Sequence, residues 1–406
     1  MDAHRTRLLN IMHVVPLQRS DNAGQNYASR QVSRWAQKSD LSCLVIPGRS
    51  MREHLSEAIL PTVPLKESHT GRSTPFRSVW WKLRAWFPTL PDLAVADALR
   101  EDPNARKLIE SADVIVLQWQ QTAAQAGVVR SLNPTARRVV VLHDVMSQSH
   151  RRYARHATSR RQRLRHAVAT QVSRAVEARI ARLADLIVVP SHKDEELLPR
   201  WSRNKVCVVP APITVPENPI RTPVDGRVVL VSSWREENVQ GLEWFDREVL
   251  PHVRARFSDV QIHLIGRMSP TLASEWQSRG YTVRGFVDDL SQEYARAAVA
   301  AVPLWLGAGV KFKTVEAGLH AVPLVSTSVG AEGIPALAGR SEVTDDPTQF
   351  AAALVQALTM SQSAQRAADA LRVRILDDHS PEAIDTALDQ VLRRVQNRRQ
   401  ESEHLV

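Results

Sequence analysis

The sequence predicts an α/β protein made of two parallel-sheet domains, and three observations lead there. Short apolar runs bounded by turn residues alternate with amphipathic helical stretches almost from end to end, the pattern of buried strands covered by helices. The 406 residues are enough for two or three cores, and a proline-rich segment divides the alternation into two halves. A hydrophobic content of 43% and a charged content of 24% are those of a folded globular chain and argue against dominant disorder.

In the first half, strands are predicted over residues 8–15, 41–46, 114–117, 138–142, 186–189 and 206–209. In the second they are predicted over 228–231, 261–265, 281–283, 298–303 and 323–326. Between the halves, Pro210, Pro212, Pro216, Pro219 and Pro223 remove backbone donors and keep the chain extended. Residues 210–226 therefore read as a linker between a first domain over 1–209 and a second over 227–375. A last helix in 376–406 is opened by Ser380 as a cap and Pro381 in the first turn. A ligand cleft is expected between the domains, at the carboxyl ends of the strands.

Cys43 and Cys207 lie far apart and suggest neither a disulfide framework nor a zinc site, which fits a reducing cytoplasm. The first residues hold a short apolar run without a small-residue cleavage site and read as a strand, not a signal peptide. No apolar run of about 18 residues is present to span a bilayer. A net charge of +10 calls for an acidic partner: nucleic acid, an anionic lipid surface or a phosphorylated substrate.

The richest stretch is G-A-G-V-K-F-K-T-V-E-A-G-L-H-A-V-P-L-V-S-T-S-V-G-A-E-G-I, residues 307–334. It reads as a glycine loop, a short helix over 310–319, a buried strand and a second glycine turn. Gly307 and Gly309 permit backbone angles closed to other residues and let the chain approach a ligand. The helix then aims its first N–H groups and the positive end of its dipole at the loop, where an anion is expected. Lys311 and Lys313 add positive charge, and Glu316 is placed to accept hydrogen bonds from paired sugar hydroxyls. On residue types alone, a tight turn with solvated lysines stays open as the other reading.

The order of residues across 307–334 closely resembles the donor-binding motif of the retaining family 4 glycosyltransferases of the GT-B fold. It is similar above all to bacterial surface-polysaccharide enzymes with a G-x-G-x-K-x-K-x-x-E-A core. The resemblance implies two Rossmann-like, doubly wound domains facing each other across a cleft, and a C-terminal helix that packs back on the first. It implies a nucleotide diphosphate sugar as donor substrate, with no cofactor. In the second domain it assigns the donor to Gly307, Gly309, Val310, Lys311, Lys313 and Glu316, with Gly266 at a strand end and Gly285 and Phe286 beside the nucleobase.

Three positions of the second domain depart from the family pattern. Ser233 and Glu237 stand where many relatives carry an Arg and a Lys that clamp the diphosphate, so Lys311, Lys313 or Arg235 must supply that charge. Ala308 stands where many relatives carry a further Glu that contacts the donor sugar. No D-x-D triad occurs in these segments, so no catalytic metal is expected.

In the first domain, a strand followed by D-N-A-G-Q-N-Y-A-S-R is again strand, glycine turn and helix. The resemblance puts an acceptor- or phosphate-contacting glycine loop here, usually with two adjacent glycines, of which this sequence keeps only Gly24, with Gln25 beside it. R-R-V-V-V-L-H-D-V ends a buried strand with His143 and Asp144, and the resemblance puts a His or His-acid pair there, beside the transferred sugar.

Residues 150–182 carry ten arginines, no lysine and one acid, Glu177. Leu164, Val168, Val172, Val176 and Ile180 recur at helical spacing, so one face packs while the other is cationic. A solvated face, an anionic membrane surface or lipid-linked phosphate docked through Arg151 to Arg182, and nucleic acid are the three readings, with nucleic acid the least favoured. Trp80, Trp81, Trp86 and Phe87, interleaved with Arg77, Lys82 and Arg84, suit a membrane interface and a core helix equally.

The expectation is a cytoplasmic, metal-independent, retaining glycosyltransferase, peripheral on the inner face of the cell membrane, with nucleotide, sugar and acceptor left open. Two rivals stand beside it. One is a sugar-nucleotide epimerase of the same fold; the other is a basic membrane- or nucleic-acid-binding protein on a transferase scaffold.

Overall fold

The computed structural model describes residues 5–18, 23–46, 54–66 and 75–403. The chain forms two compact units, Met1–Pro212 together with the chain from Ile384, and Ile213–Ala383.

The first unit holds β1 (Arg7–Met12), β2 (Asp40–Val45), β3 (Thr62–Pro64), β4 (Val114–Gln118), β5 (Arg137–Val141), β6 (Leu186–Val189) and β7 (Val206–Val208). They form a parallel sheet in the order β3-β2-β1-β4-β5-β6-β7. The second unit holds β8 (Arg227–Val231), β9 (Gln261–Ile265), β10 (Thr282–Gly285), β11 (Val299–Val302) and β12 (Leu324–Ser326), parallel in the order β10-β9-β8-β11-β12. The helices that matter here are α1 (Ala23–Ala36), α2 (Pro75–Trp86), α3 (Met146–His156), α4 (Arg160–Leu183), α5 (Glu236–Trp244), α6 (Phe312–Leu319), α7 (Ser361–His379) and α8 (Pro381–Glu403).

These strands are continuous apolar runs because both faces of each sheet are covered. In the second sheet, Val228, Leu230, Ile262 and Leu264 pack into one core and Val229, Ile265, Ala300 and Val302 into another on the opposite face. Every predicted strand is present, with small corrections. β1 stops at Met12 instead of Val15, where its ladder with Val45 of β2 ends. α6 opens at Phe312, two residues late, because Lys311 is an extended N-cap. The unpredicted β3 has three residues, one a proline, as suits an edge strand.

The proline-rich segment is strapped to the second unit: the Thr222 and Val224 amides donate to the carbonyls of Ala295 and Arg296, both at 2.9 Å. At the other end, residues 376–379 complete α7 and Ser380 separates it from α8. Ile384, Leu388, Val391 and Val395 are the buried stripe of α8. Asp385 pairs with Arg34 and Asp389 with Lys38, and Arg394 donates to the Val206 carbonyl at 2.8 Å, which binds α8 into the first unit.

Candidate active site

Each sheet reverses its winding at one place, between β1 and β4 and between β8 and β11. In doubly wound sheets ligands settle at that switch point, outside the carboxyl ends of the strands. In the second unit those ends lead to Ser232 after β8 and to the glycine loop after β11. Glycines make the approach possible. Gly266, after β9, has φ +117°, and a Cβ there would lie 1.8 Å from the Ser232 carbonyl oxygen. A Cβ on Gly241 of α5 would lie 1.9 Å from the Pro303 carbonyl oxygen. Gly266 thus sets the backbone at the end of β8, a packing role distinct from the donor contact expected of it.

The loop itself has Gly307 at φ +93° and Gly309 at φ +71°, both left-handed, and leads into α6. Lys311, the N-cap of α6, turns its ammonium back on this loop. It donates to the carbonyls of Ala308 (3.1 Å) and Gly309 (2.6 Å) and to Glu332 Oε1 (2.9 Å). The Lys311–Glu332 pair is buried, with side chains 11% and 8% exposed. Sequence reading offered Lys311 as a diphosphate cation; the structure places it as a clamp on the loop. Val310 packs against the core beside it.

Lys313 points the other way. Its Nζ donates to Ser232 Oγ at 2.6 Å and to Asn238 Oδ1 at 3.0 Å, while Asn238 Nδ2 donates to the Ser233 carbonyl at 2.7 Å. Burial pushes the Lys313 pKa down to about 7, with Lys311 adding to the effect and Glu237 opposing it. A small cleft here is lined by Ser232, Trp234, Asn238, Leu304 and Lys313. The loop from Ser232 to Asn238 lacks a lysine of its own, and α6 delivers one to it.

Glu316 follows Lys313 by three residues on α6, hence on a neighbouring face. Tyr294 Oη lies 3.5 Å from its Oε2, and the Tyr294 ring stacks on His320 at 4.9 Å. Gly285 ends β10 at φ +71°, and Phe286 is half exposed beneath the Arg267 guanidinium, 5.4 Å from its ring centroid. Arg235 is the exposed N-cap of α5, whose first turn carries Glu236 and Glu237.

In the first unit, His143 follows β5 and Trp119 follows β4. Their rings stack at 4.3 Å, and Tyr27 meets the imidazole edge-on at 4.7 Å. His143 Nε2 lies 2.9 Å from Gln118 Oε1, and Gln118 Nε2 donates to Gln31 Oε1 at 2.9 Å. Burial pushes the His143 pKa down to about 3, so the ring is neutral. With Nε2–H donating to Gln118, Nδ1 is left as an acceptor. Asp144 is exposed.

Trp119 was missed by sequence reasoning. It holds φ 65°, a left-handed angle that a bulky residue adopts at a cost and that concentrates at functional sites. The available signal was its place directly after a buried strand, as in His143. Gly24 sits in the first turn of α1, and Gln25 Nε2 donates to the Val15 carbonyl at 2.7 Å, tying the loop after β1 to α1.

Solved structures share this architecture over nearly the whole chain. Anabaena Alr3699/HepE in complex with UDP is 12% identical and has a TM-score of 0.67 over 95% of this chain and 99% of that one. An S. aureus TarM mutant, in complex with Fondaparinux, α-GlcNAc-glycerol and UDP, is 9% identical with a TM-score of 0.64 over 97% and 99%. The α,α-trehalose 6-phosphate synthase of Burkholderia multivorans is 11% identical with a TM-score of 0.60 over 99% and 98%. The chain has the GT-B fold. Within this GT-B chain, residues 225–360 match the family model described as Glycosyl transferases group 1. That match covers the β8 end, the glycine loop and α6, and with them Lys313 and Glu316. No curated protein matches the chain.

Proposed function

We propose that this protein is a retaining glycosyltransferase that moves a sugar from a nucleoside diphosphate sugar to an acceptor hydroxyl without a metal ion. One observation carries the reading. An ammonium group is held by Ser232 and Asn238 at the switch point of the second sheet, beside a glycine loop and the start of α6. Negative charge grows on a diphosphate as the glycosidic bond breaks, and a preorganised cation there stabilises the leaving group.

In this reading Lys313 and the backbone of the Gly307–Gly309 loop take the diphosphate, Glu316 the ribose hydroxyls, and Gly285 with Phe286 the base. In the first unit the candidate catalytic residue is His143, neutral and fixed between Trp119 and Tyr27. Gly24 and Gln25 belong to the acceptor side. The match to Glycosyl transferases group 1 and structural likeness to UDP-bound proteins support a uridine nucleotide as the first donor to try.

The test is incubation with a panel of nucleotide sugars, with and without candidate acceptors and with a chelator present. Released nucleoside diphosphate is measured, and the new anomeric centre is read by NMR. Acceptor-dependent release with retention in the presence of chelator supports the proposal. Sugar conversion without acceptor identifies the epimerase instead, and binding without any release identifies a non-catalytic protein.

A further inference from the structure

We infer that α2 and the N-terminal half of α4 form one surface that docks on an anionic lipid bilayer. α2 is turned inside out for a helix on a water-facing surface. Its arginines point inward, Arg77 to Asp97 and Arg84 to Asp92 at 2.7 Å, and Trp80 donates to the Pro91 carbonyl at 3.0 Å. Its outward side carries Val79 (57% exposed), Trp81 (59%), Leu83 (42%) and Trp86 (47%).

α4 adds the cations. The apolar stripe expected to pack along its length does so only toward the C-terminal end, where Val176 and Ile180 are buried; Leu164 (67%) and Val168 (42%) stand in the open. Around them Arg160, Arg161, Arg163 and Arg165 are exposed. The acid of this helix, Glu177, is buried and accepts a hydrogen bond from the Ser147 amide at 2.9 Å, so it does not offset that charge at the surface. The helices meet where the Arg165 guanidinium lies 5.5 Å from the Trp86 ring centroid. Tryptophans, aliphatics and arginines are thereby joined in a single patch.

Charge and composition together select the occupant. Single-stranded nucleic acid uses cations and stacking rings but has no place for exposed Val79, Leu83, Leu164 and Val168. An interfacial bilayer site takes all three kinds of group: arginines on anionic headgroups, tryptophans at headgroup level and aliphatics at the acyl boundary. No helix among the described residues is long and apolar enough to cross a membrane, so the association is with its surface. The inference does not depend on the proposed transfer reaction.

The test is sedimentation of the full chain with phosphatidylcholine vesicles and with equal mixtures of phosphatidylcholine and phosphatidylglycerol, at ionic strengths of about 0.01 M and about 1 M. Binding at least tenfold stronger to the anionic vesicles, weakened by salt, is expected. Reversing charge with R160E, R161E, R163E and R165E should abolish it, and W81S with L83S should lower it about tenfold, with circular dichroism and melting unchanged in both variants. Brominated lipid should quench the wild-type tryptophan emission. Absence of vesicle binding at low salt, equal binding to neutral vesicles, or full binding by the charge-reversed variant would overturn the inference. Binding to single-stranded polynucleotide without vesicle binding would overturn it in favour of a nucleic-acid surface.

Discussion

Replacing Lys311 and Lys313 by methionine, one at a time, separates a group that holds the loop from the one proposed to meet the diphosphate. K311M removes the ammonium group from the Glu332 carboxyl, which is 8% exposed. Breaking a buried pair on one side costs about 3–5 kcal/mol. At about 2–4 °C per kcal/mol for a domain of this size, the second unit should melt roughly 6–20 °C lower. K313M removes hydrogen bonds to Ser232 and Asn238 but also an ammonium whose burial already lowers its pKa to about 7. The two effects offset to within about 1–2 kcal/mol. UDP then loses a charge-assisted contact worth about 1.5–3 kcal/mol, so its Kd should rise about 10- to 150-fold. Scanning calorimetry reads the first effect and titration calorimetry the second. Wild-type melting of K311M, or UDP affinity of K313M within twofold of wild type, would refute the division of labour.

Other consequences follow from the same geometry. Since the Lys313 pKa of about 7 lies below its ordinary 10.5, the unfolded chain binds more protons between those values. Stability of the second unit should therefore rise with pH across that window and K313M should flatten the rise in denaturation midpoints. Because a diphosphate raises the pKa again, UDP binding at about pH 8 should take up a proton, seen as a binding heat that varies with buffer ionisation enthalpy; a buffer-independent heat contradicts this. E316A should weaken UDP about tenfold yet bind 2′,3′-dideoxy-UDP as wild type does, and a loss equal for both nucleotides would remove Glu316 from the ribose. G266A must place a methyl group 1.8 Å from the Ser232 carbonyl oxygen at φ +117°, and should lose about 3 kcal/mol or more in urea unfolding; a loss under about 0.5 kcal/mol would show that the strand ends can separate.

The sheets were legible because a strand buried on both faces writes an unbroken apolar run, as in Val114–Gln118 and Arg227–Val231. β3 was not, since three edge residues ending in a proline carry no such pattern. Within the candidate site the glycine loop and its lysines could be found, but their roles could not. Lys313 finds Ser232 across 81 positions and Lys311 finds Glu332 across 21, and such distant pairings leave no local trace. The same holds for α2: its helical spacing is plain, but Asp92 and Asp97 decide which face turns inward. Trp119 depends on a backbone angle that composition does not encode.

A nucleoside diphosphate is expected to bind where Lys313 meets Ser232 and Asn238. A crystal structure of the protein with UDP measures this directly. Diphosphate oxygens should lie within hydrogen-bond distance of Lys313 Nζ and of the loop from Gly307 to Gly309, with the ribose hydroxyls on Glu316. Bound UDP elsewhere, with Lys313 still on Ser232 and Asn238 and no phosphate beside it, would contradict it.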